Sequence, residues 1–144
     1  MQAIGPERVR SAIGMGFWGK HPKPSGFDSR RAQLTHYCLV RQDLPRGVLA
    51  AQLIHAAGES APGDLASGTI AVALAARDEA HLAALELELR RLSIGHRAIR
   101  EPDPPWRGAL MAIGLEPVAD RERVRAVTGG LKLLTEPNPN QGKP

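Results

Sequence analysis

Gln52 and His55 are the residues whose types and spacing first suggest chemistry. They belong to the segment GVLAAQLIHAAG, residues 47–58, and with Val48 they are spaced i, i+4, i+7. This spacing predicts that the three side chains share one face of a helix, beside a wholly apolar face that packs on a sheet. A glutamine and a histidine one turn apart could line a small polar pocket. They could equally be two side chains hydrogen-bonded locally at the edge of the core.

The elements that position these residues are predicted from hydrophobic periodicity. Strands are expected over residues 34–42, 69–76, 96–100 and 108–115. One helix should run from residue 47 to about 57 and end at Gly58, a second should start after the N-cap Asp78 and end by Gly95, and a third should start near Asp120.

Short apolar strands that alternate with helices predict an α/β fold, with a small four-stranded mixed sheet and helices on both faces. Ligand sites in such sheets usually lie at the carboxyl ends of strands. That rule places Gln42, Asp43 and the loop EPDPPW, residues 101–106, near Gln52.

The chain of 144 residues carries a net charge of +4. Residues 1–33 hold six basic and two acidic residues, whereas residues 34–134 hold twelve of each. We therefore expect a basic, disordered arm over 1–33, one neutral domain over 34–134 and a flexible tail over 135–144. The basic excess allows a nucleic-acid partner but does not by itself argue for one.

Cys38 is the single cysteine, so an intrachain disulfide is impossible and a zinc cluster is not expected. It lies within an apolar run, which favours a buried side chain over a nucleophile. No metal or other cofactor is expected. No window reaches the length of a membrane-spanning helix, so we expect a soluble, cytoplasmic protein without a membrane partner. A monomer and a homodimer both stay open.

Several segments resemble type-2 peptidyl-tRNA hydrolases. They are, in chain order, YCLVRQDL, VLAAQLIHAA, DEAHLAAL, MAIGLEP and VTGGLKLL. The resemblance covers residues 34–134 with the elements in family order. It implies the sheet-and-helices fold of that family. It also implies cleavage, without a metal, of the ester that joins a peptide to the terminal ribose of tRNA, so a peptidyl-tRNA or other tRNA is the implied partner.

The resemblance transfers to particular positions only. Gln52, His55 and Asp43 match the family pattern, whereas Val48 occupies the position of the lysine in the family's glycine loop, which is two residues longer than DLPRG. The later family loop is also shortened here, and Glu101 and Asp103 are only loosely comparable to its aspartate.

Ester hydrolysis needs a positioned water, a group that orients or deprotonates it, and donors aimed at the developing oxyanion. Gln52 could orient the water or the ester carbonyl, and Asp43 or Asp103 could act as the base. Arg46 could supply the charge and donors that the missing lysine does not. The predicted catalytic residues are therefore Gln52, Asp43 and Arg46.

The predicted substrate-binding residues are His55, Arg41, Arg100, Asp103 and Arg107. His55 could be a base, but a histidine on a packed helix is more often a structural hydrogen-bonding residue. The arginines could contact the tRNA backbone, or they could form a solvated, partly ion-paired rim. The alternatives to peptidyl-tRNA hydrolysis are a non-catalytic tRNA- or protein-binding domain and a hydrolase of another small ester or amide.

Overall fold

The computed structural model of the protein describes residues 32–136. Nearly all of the predicted basic arm therefore lies outside the described residues. The predicted tail lies outside them from residue 137 onward.

The described residues form a mixed sheet of five strands in the order β3-β4-β1-β2-β5. The strands are β1 (Thr35–Arg41), β2 (Ile70–Ala76), β3 (His96–Glu101), β4 (Ala109–Leu115) and β5 (Lys132–Leu133). The β1–β2 pair is parallel, and the other three neighbouring pairs are antiparallel. The predicted α/β class is confirmed, but the prediction of four strands is wrong. The fifth strand is only two residues long, too short to show a period of its own.

Helices cover both faces of this sheet. They are α1 (Arg46–Ser60), α2 (Glu79–Arg91) and α3 (Arg125–Thr128), the last preceded by a 3₁₀ turn over Arg121–Val124. Val40 packs with the apolar side chains of α1 on one face of β1, whereas Leu39 packs with those of α2 and α3 on the other face. All seven residues of β1 are buried, which explains the nearly continuous apolar run in this strand.

The start of α2 follows the sequence prediction. The Asp78 side chain accepts a hydrogen bond from the backbone N–H of His81 at 2.8 Å, so it satisfies one of the unpaired donors of the first turn. Leu82 and Leu89 are fully buried beneath the sheet. These two leucines therefore lie on the packing face of the helix.

The predicted end of α1 at Gly58 is wrong, because the helix continues to Ser60. The buried hydroxyl of Ser60 donates to the carbonyl oxygen of Ala56 at 2.7 Å, and a Cβ on Gly114 of β4 would overlap both groups. The last turn of α1 therefore lies directly on the sheet backbone. This packing maintains the helix past a glycine that would otherwise favour its end.

No helix over residues 32–136 is long and apolar enough to cross a membrane.

Candidate functional site

Gln52 is a polar residue on the buried face of α1, and only 3% of its surface is exposed. Its side-chain Nε2 donates to Oε2 of Glu101 at 3.2 Å. Glu101 is the last residue of β3 and is partly exposed. The contact therefore places a carboxylate at the end of a strand beside a buried amide, at the helix where the sequence predicted a site.

The other polar atom of this amide, Oε1 of Gln52, is buried without a hydrogen-bond partner among residues 32–136. A buried acceptor without a partner costs about 1–3 kcal/mol of stability relative to a satisfied one. Such atoms commonly bond to an ordered water or a ligand. This oxygen is therefore the part of the described structure that most directly indicates a bound molecule.

A second polar cluster lies at the carboxyl end of β1, centred on Arg41. Its guanidinium binds the Asp43 carboxylate in a bidentate manner, with Nε–Oδ1 and Nη2–Oδ2 distances of 2.8 Å. This pair lowers the pKa of Asp43 below its ordinary value of 3.8, chiefly through the hydrogen bonds from Arg41. Asp43 is consequently a weak base in this structure, and its main contact is with the arginine.

Arg41 also connects β1 to the elements around it. Its Nη1 lies 3.5 Å from a Glu79 carboxylate oxygen and 3.4 Å from the Leu110 carbonyl oxygen, and the other oxygen of Glu79 accepts from the Leu110 backbone N–H at 2.9 Å. The guanidinium carbon is 5.7 Å from the ring centroid of Trp106, a cation–π distance. Arg41 is therefore buried in a network that fixes the start of β4.

The β3–β4 ladder is irregular next to Glu101. Ile99 pairs with Ala112, but Arg100 pairs with Leu110, so Met111 is an extra residue in β4. Such bulges often occur beside functional sites, where they change the direction of neighbouring side chains. Here the bulge lies within two residues of the carboxylate that contacts Gln52.

Arg46 and His55 lie on the outer side of α1. The Nη2 of Arg46 is 2.6 Å from a carboxylate oxygen of Glu136, and both side chains are well exposed. The imidazole of His55 is 60% exposed, and its one ionic neighbour among the described residues is Glu59 at 3.9 Å. The structure therefore separates His55 from Gln52, because the first points outward and the second inward.

The remaining predicted residues are also dispersed. Arg100 pairs with the buried carboxylate of Glu86 at 3.0 Å on the α2 side of the sheet, opposite the face of Gln52. The backbone N–H of Asp103 donates to Oε1 of Glu101 at 3.3 Å, whereas its carboxylate is exposed. Arg107 is exposed and has a positive φ of 45°. Of these three, only Asp103 touches the site residues.

A buried histidine and serine also meet, but they do not form a nucleophile with its base. His36 Nε2 lies 2.7 Å from Ser60 Oγ, and each residue is only 3% exposed. The serine hydroxyl donates to Ala56 within α1, and its contact with His36 joins this helix to β1. It therefore does not face a substrate. Cys38 is also buried, and burial raises the pKa of its thiol to about 11, as the sequence interpretation of a core residue implies.

Glu101 is not among the catalytic or substrate-binding residues that were predicted from the sequence. Its signal was the alternation of Ile99 and Glu101 in β3, which puts both side chains on the face that α1 covers. No sequence pattern predicted the contacts that Glu86 and Trp106 make with arginines. No group of three or more metal-ligating side chains is placed to hold an ion within residues 32–136.

Comparison with known proteins finds no match to a family model or to a curated protein.

Proposed function

We propose that the domain hydrolyses the ester of a peptidyl-tRNA, or of a related acyl-tRNA, and releases the acyl group and the tRNA. The observation that carries this proposal is the buried Gln52 amide, which contacts Glu101 through Nε2 and leaves Oε1 without a partner in the described part of the chain. The resemblance of residues 34–134 to type-2 peptidyl-tRNA hydrolases supports the same substrate.

In this proposal, Glu101 is the general base and Gln52 positions the water. Oε1 of Gln52 accepts one hydrogen bond from the water, and the Glu101 carboxylate accepts the proton as the water oxygen attacks the ester carbonyl. The carbon–oxygen bond to the ribose then breaks, and the proton passes from Glu101 to the leaving ribose oxygen. No metal is required for these steps.

Asp43 and Arg46 have supporting roles in this scheme. Asp43 holds Arg41 in place through the bidentate pair, so we assign it a positioning role instead of the role of base. Arg46 begins α1, six residues before Gln52 and thus about 9 Å away along the helix axis. Its exposed pair with Glu136 is worth only about 0–1 kcal/mol, so a tRNA phosphate can replace the carboxylate.

The second candidate is a non-catalytic domain that binds tRNA or a protein. The observation that favours it is the pairing of the arginines with carboxylates of the same chain, Arg41 with Asp43 and Arg46 with Glu136. Among residues 32–136, no arginine or lysine forms an ion pair with Glu101. Residues 32–136 therefore show no cation ion-paired at the carboxylate that would stabilise a developing negative charge.

Release of the acyl group from an N-acetylated aminoacyl-tRNA tests the proposal. The full chain, in excess over substrate, should release the labelled acyl group faster than buffer alone. Release no faster than in buffer, with an active hydrolase as a positive control, would exclude the first candidate. Binding of the intact substrate, with an affinity that falls steeply with salt, would then favour the second candidate as an RNA-binding domain. Absence of both activities would leave a protein partner, or hydrolysis of another small ester or amide, as the remaining alternatives.

A further inference from the structure

We propose that two copies of this chain pair through the free edges of their β3 strands, and that each copy thereby brings Arg97 to Glu101 of the other. Strand β3 is at the end of the sheet order, with β4 on one side. No strand among residues 32–136 pairs with its other side. Backbone N–H and C=O groups along such an edge can extend the sheet into another chain.

The side chains of β3 divide cleanly between the two faces. Ile99 packs in the core beneath α1, and Glu101 contacts Gln52 of α1, so Arg97 shares this face by alternation. Arg100 contacts Glu86 of α2 on the opposite face. On the α1 face of β3, a basic, an apolar and an acidic residue therefore follow one another along the strand.

This pattern is complementary to itself. In an antiparallel pair with Ile99 opposite Ile99 of the second copy, each Arg97 lies opposite a Glu101, and the two-fold axis generates the ion pair twice. Cβ atoms of directly opposite residues are about 4.5–5.5 Å apart, close enough for contact between the charged groups. A register centred on Arg100 would instead place two guanidinium groups opposite each other.

The surroundings of Arg97 and Glu101 within residues 32–136 favour the same pairing. Arg97 is exposed, and no carboxylate among residues 32–136 forms an ion pair with it. The second oxygen of Glu101 accepts only a long bond of 3.3 Å from the Asp103 backbone N–H. Both partners of the cross-strand pair are thus available on the surface of a single chain.

The pairing would complete the candidate site. Asp43 and Glu86 hold Arg41 and Arg100, whereas the exposed Arg46 pairs with Glu136 about 9 Å from Gln52 along the axis of α1. Arg97 of the second copy would add a guanidinium beside the Gln52–Glu101 contact, and a phosphate of the substrate could replace Glu101 as its partner, which would leave the carboxylate free to act as the base. This last step rests on the proposed function, whereas the pairing itself does not.

Sedimentation equilibrium of the full chain over a concentration series tests the pairing without any activity measurement. We expect a reversible dimer. Arg97→Glu replaces two attractive pairs with two repulsive ones and should raise the dimer dissociation constant on the order of tenfold or more. The double variant Arg97→Glu with Glu101→Arg should restore it. Arg123→Glu, at an exposed arginine outside the sheet, is the matched control and should leave the dimer unchanged.

Cross-linking tests the register. An equal mixture of Arg97→Cys and Glu101→Cys chains should form an interchain disulfide under mild oxidation, because opposite residues have Cα atoms about 4.5–5.5 Å apart. Each variant alone should not form one. A chain that stays monomeric at every concentration would overturn the proposal. A dimer that is unaffected by Arg97→Glu, or a mixture without the disulfide, would overturn it as well. Circular dichroism of each variant verifies that the chains remain folded.

Discussion

The Nε2 atom of Gln52 lies 3.2 Å from a carboxylate oxygen of Glu101, although 49 residues separate the two in the chain. The contact joins the middle of α1 to the end of β3, so packing of the helix fixes the position of a carboxylate. It also leaves Oε1 of Gln52 buried without a protein partner over residues 32–136. A buried polar atom without a protein partner calls for a bound water or ligand to satisfy it.

Replacement of Gln52 by leucine should therefore separate activity from stability. Gln52→Leu removes the unpartnered oxygen, while Glu101 is partly exposed and can bond to water instead. We expect the free energy of unfolding in urea to stay within about 1 kcal/mol of the wild-type value or to rise. Ester cleavage should fall by at least about tenfold.

Gln42→Leu is the control for this comparison, because it replaces an exposed glutamine at the end of β1. It should change the unfolding free energy by no more than about 0.5 kcal/mol. A loss of more than about 2 kcal/mol in Gln52→Leu alone would show that the amide is a structural element of the core.

Alanine substitutions at two glycines should change the free energy of unfolding in opposite directions. A methyl group on Gly114 would overlap Ser60 and the Ala56 carbonyl, so Gly114→Ala should lower the unfolding free energy by about 1–3 kcal/mol. Gly58 is inside α1, with open space where the Cβ would be, so Gly58→Ala should raise it by about 0.5–1 kcal/mol. Urea unfolding of both variants measures the difference. Equal effects would contradict the close packing of α1 on β4.

Burial of His36 should make the fold sensitive to mild acid. Its pKa is lowered from the ordinary value of 6.5, mainly because burial disfavours the charged form. Below pH 6.5 the unfolded chain takes up a proton that the folded chain resists, so the unfolding free energy falls as the pH decreases from 7.5 to 5. His36→Gln should reduce this slope, by at most about 1.4 kcal/mol per pH unit.

His55→Gln is the control for the pH experiment, because it removes a largely exposed histidine from α1. Its unfolding free energy, measured over the same pH range, gives the effect of removing a histidine from the surface of the helix. If His36→Gln and His55→Gln had the same slope as the wild type, the acid sensitivity would have to come from other groups.

The ion pair of Asp43 should stabilise the fold at neutral pH and lose this effect in strong acid. Arg41 lowers the pKa of this carboxyl below 3.8, so the pair stabilises the folded state above that pH and loses its effect as the pH falls toward the lowered value. Asp43→Asn should therefore be less stable than the wild type at pH 7, with the difference decreasing by pH 3. Asp64→Asn, in an exposed loop, is the control variant and is measured over the same pH range.

The order of the elements could be predicted from the sequence because strands and helices have different apolar periods. The end of α1 could not, since Gly58 is a common helix terminator and the packing that extends the helix involves Ser60 and the distant Gly114. Strand β5 has only two residues, so no hydrophobic period could predict it.

The candidate site was predictable only in part. Gln52 could be singled out as a polar residue on an otherwise apolar helix, but its partner Glu101 depends on how β3 lies beneath α1. Pairing of Arg46 with Glu136 and of Arg100 with Glu86 also depends on tertiary contacts. The sequence therefore predicted Gln52 as a candidate but not Glu101, and only the structure shows which carboxylate each cation meets.

The most direct measurement is the single-turnover rate of ester cleavage by Glu101→Gln on an N-acetylated aminoacyl-tRNA. The variant retains an acceptor for Gln52 but cannot take a proton, so we expect the rate constant to fall by about 100-fold or more relative to the wild type. Glu59→Gln, at an exposed carboxylate of α1, should retain the wild-type rate. A Glu101→Gln rate within twofold of an active wild type would contradict the assignment of Glu101 as the base.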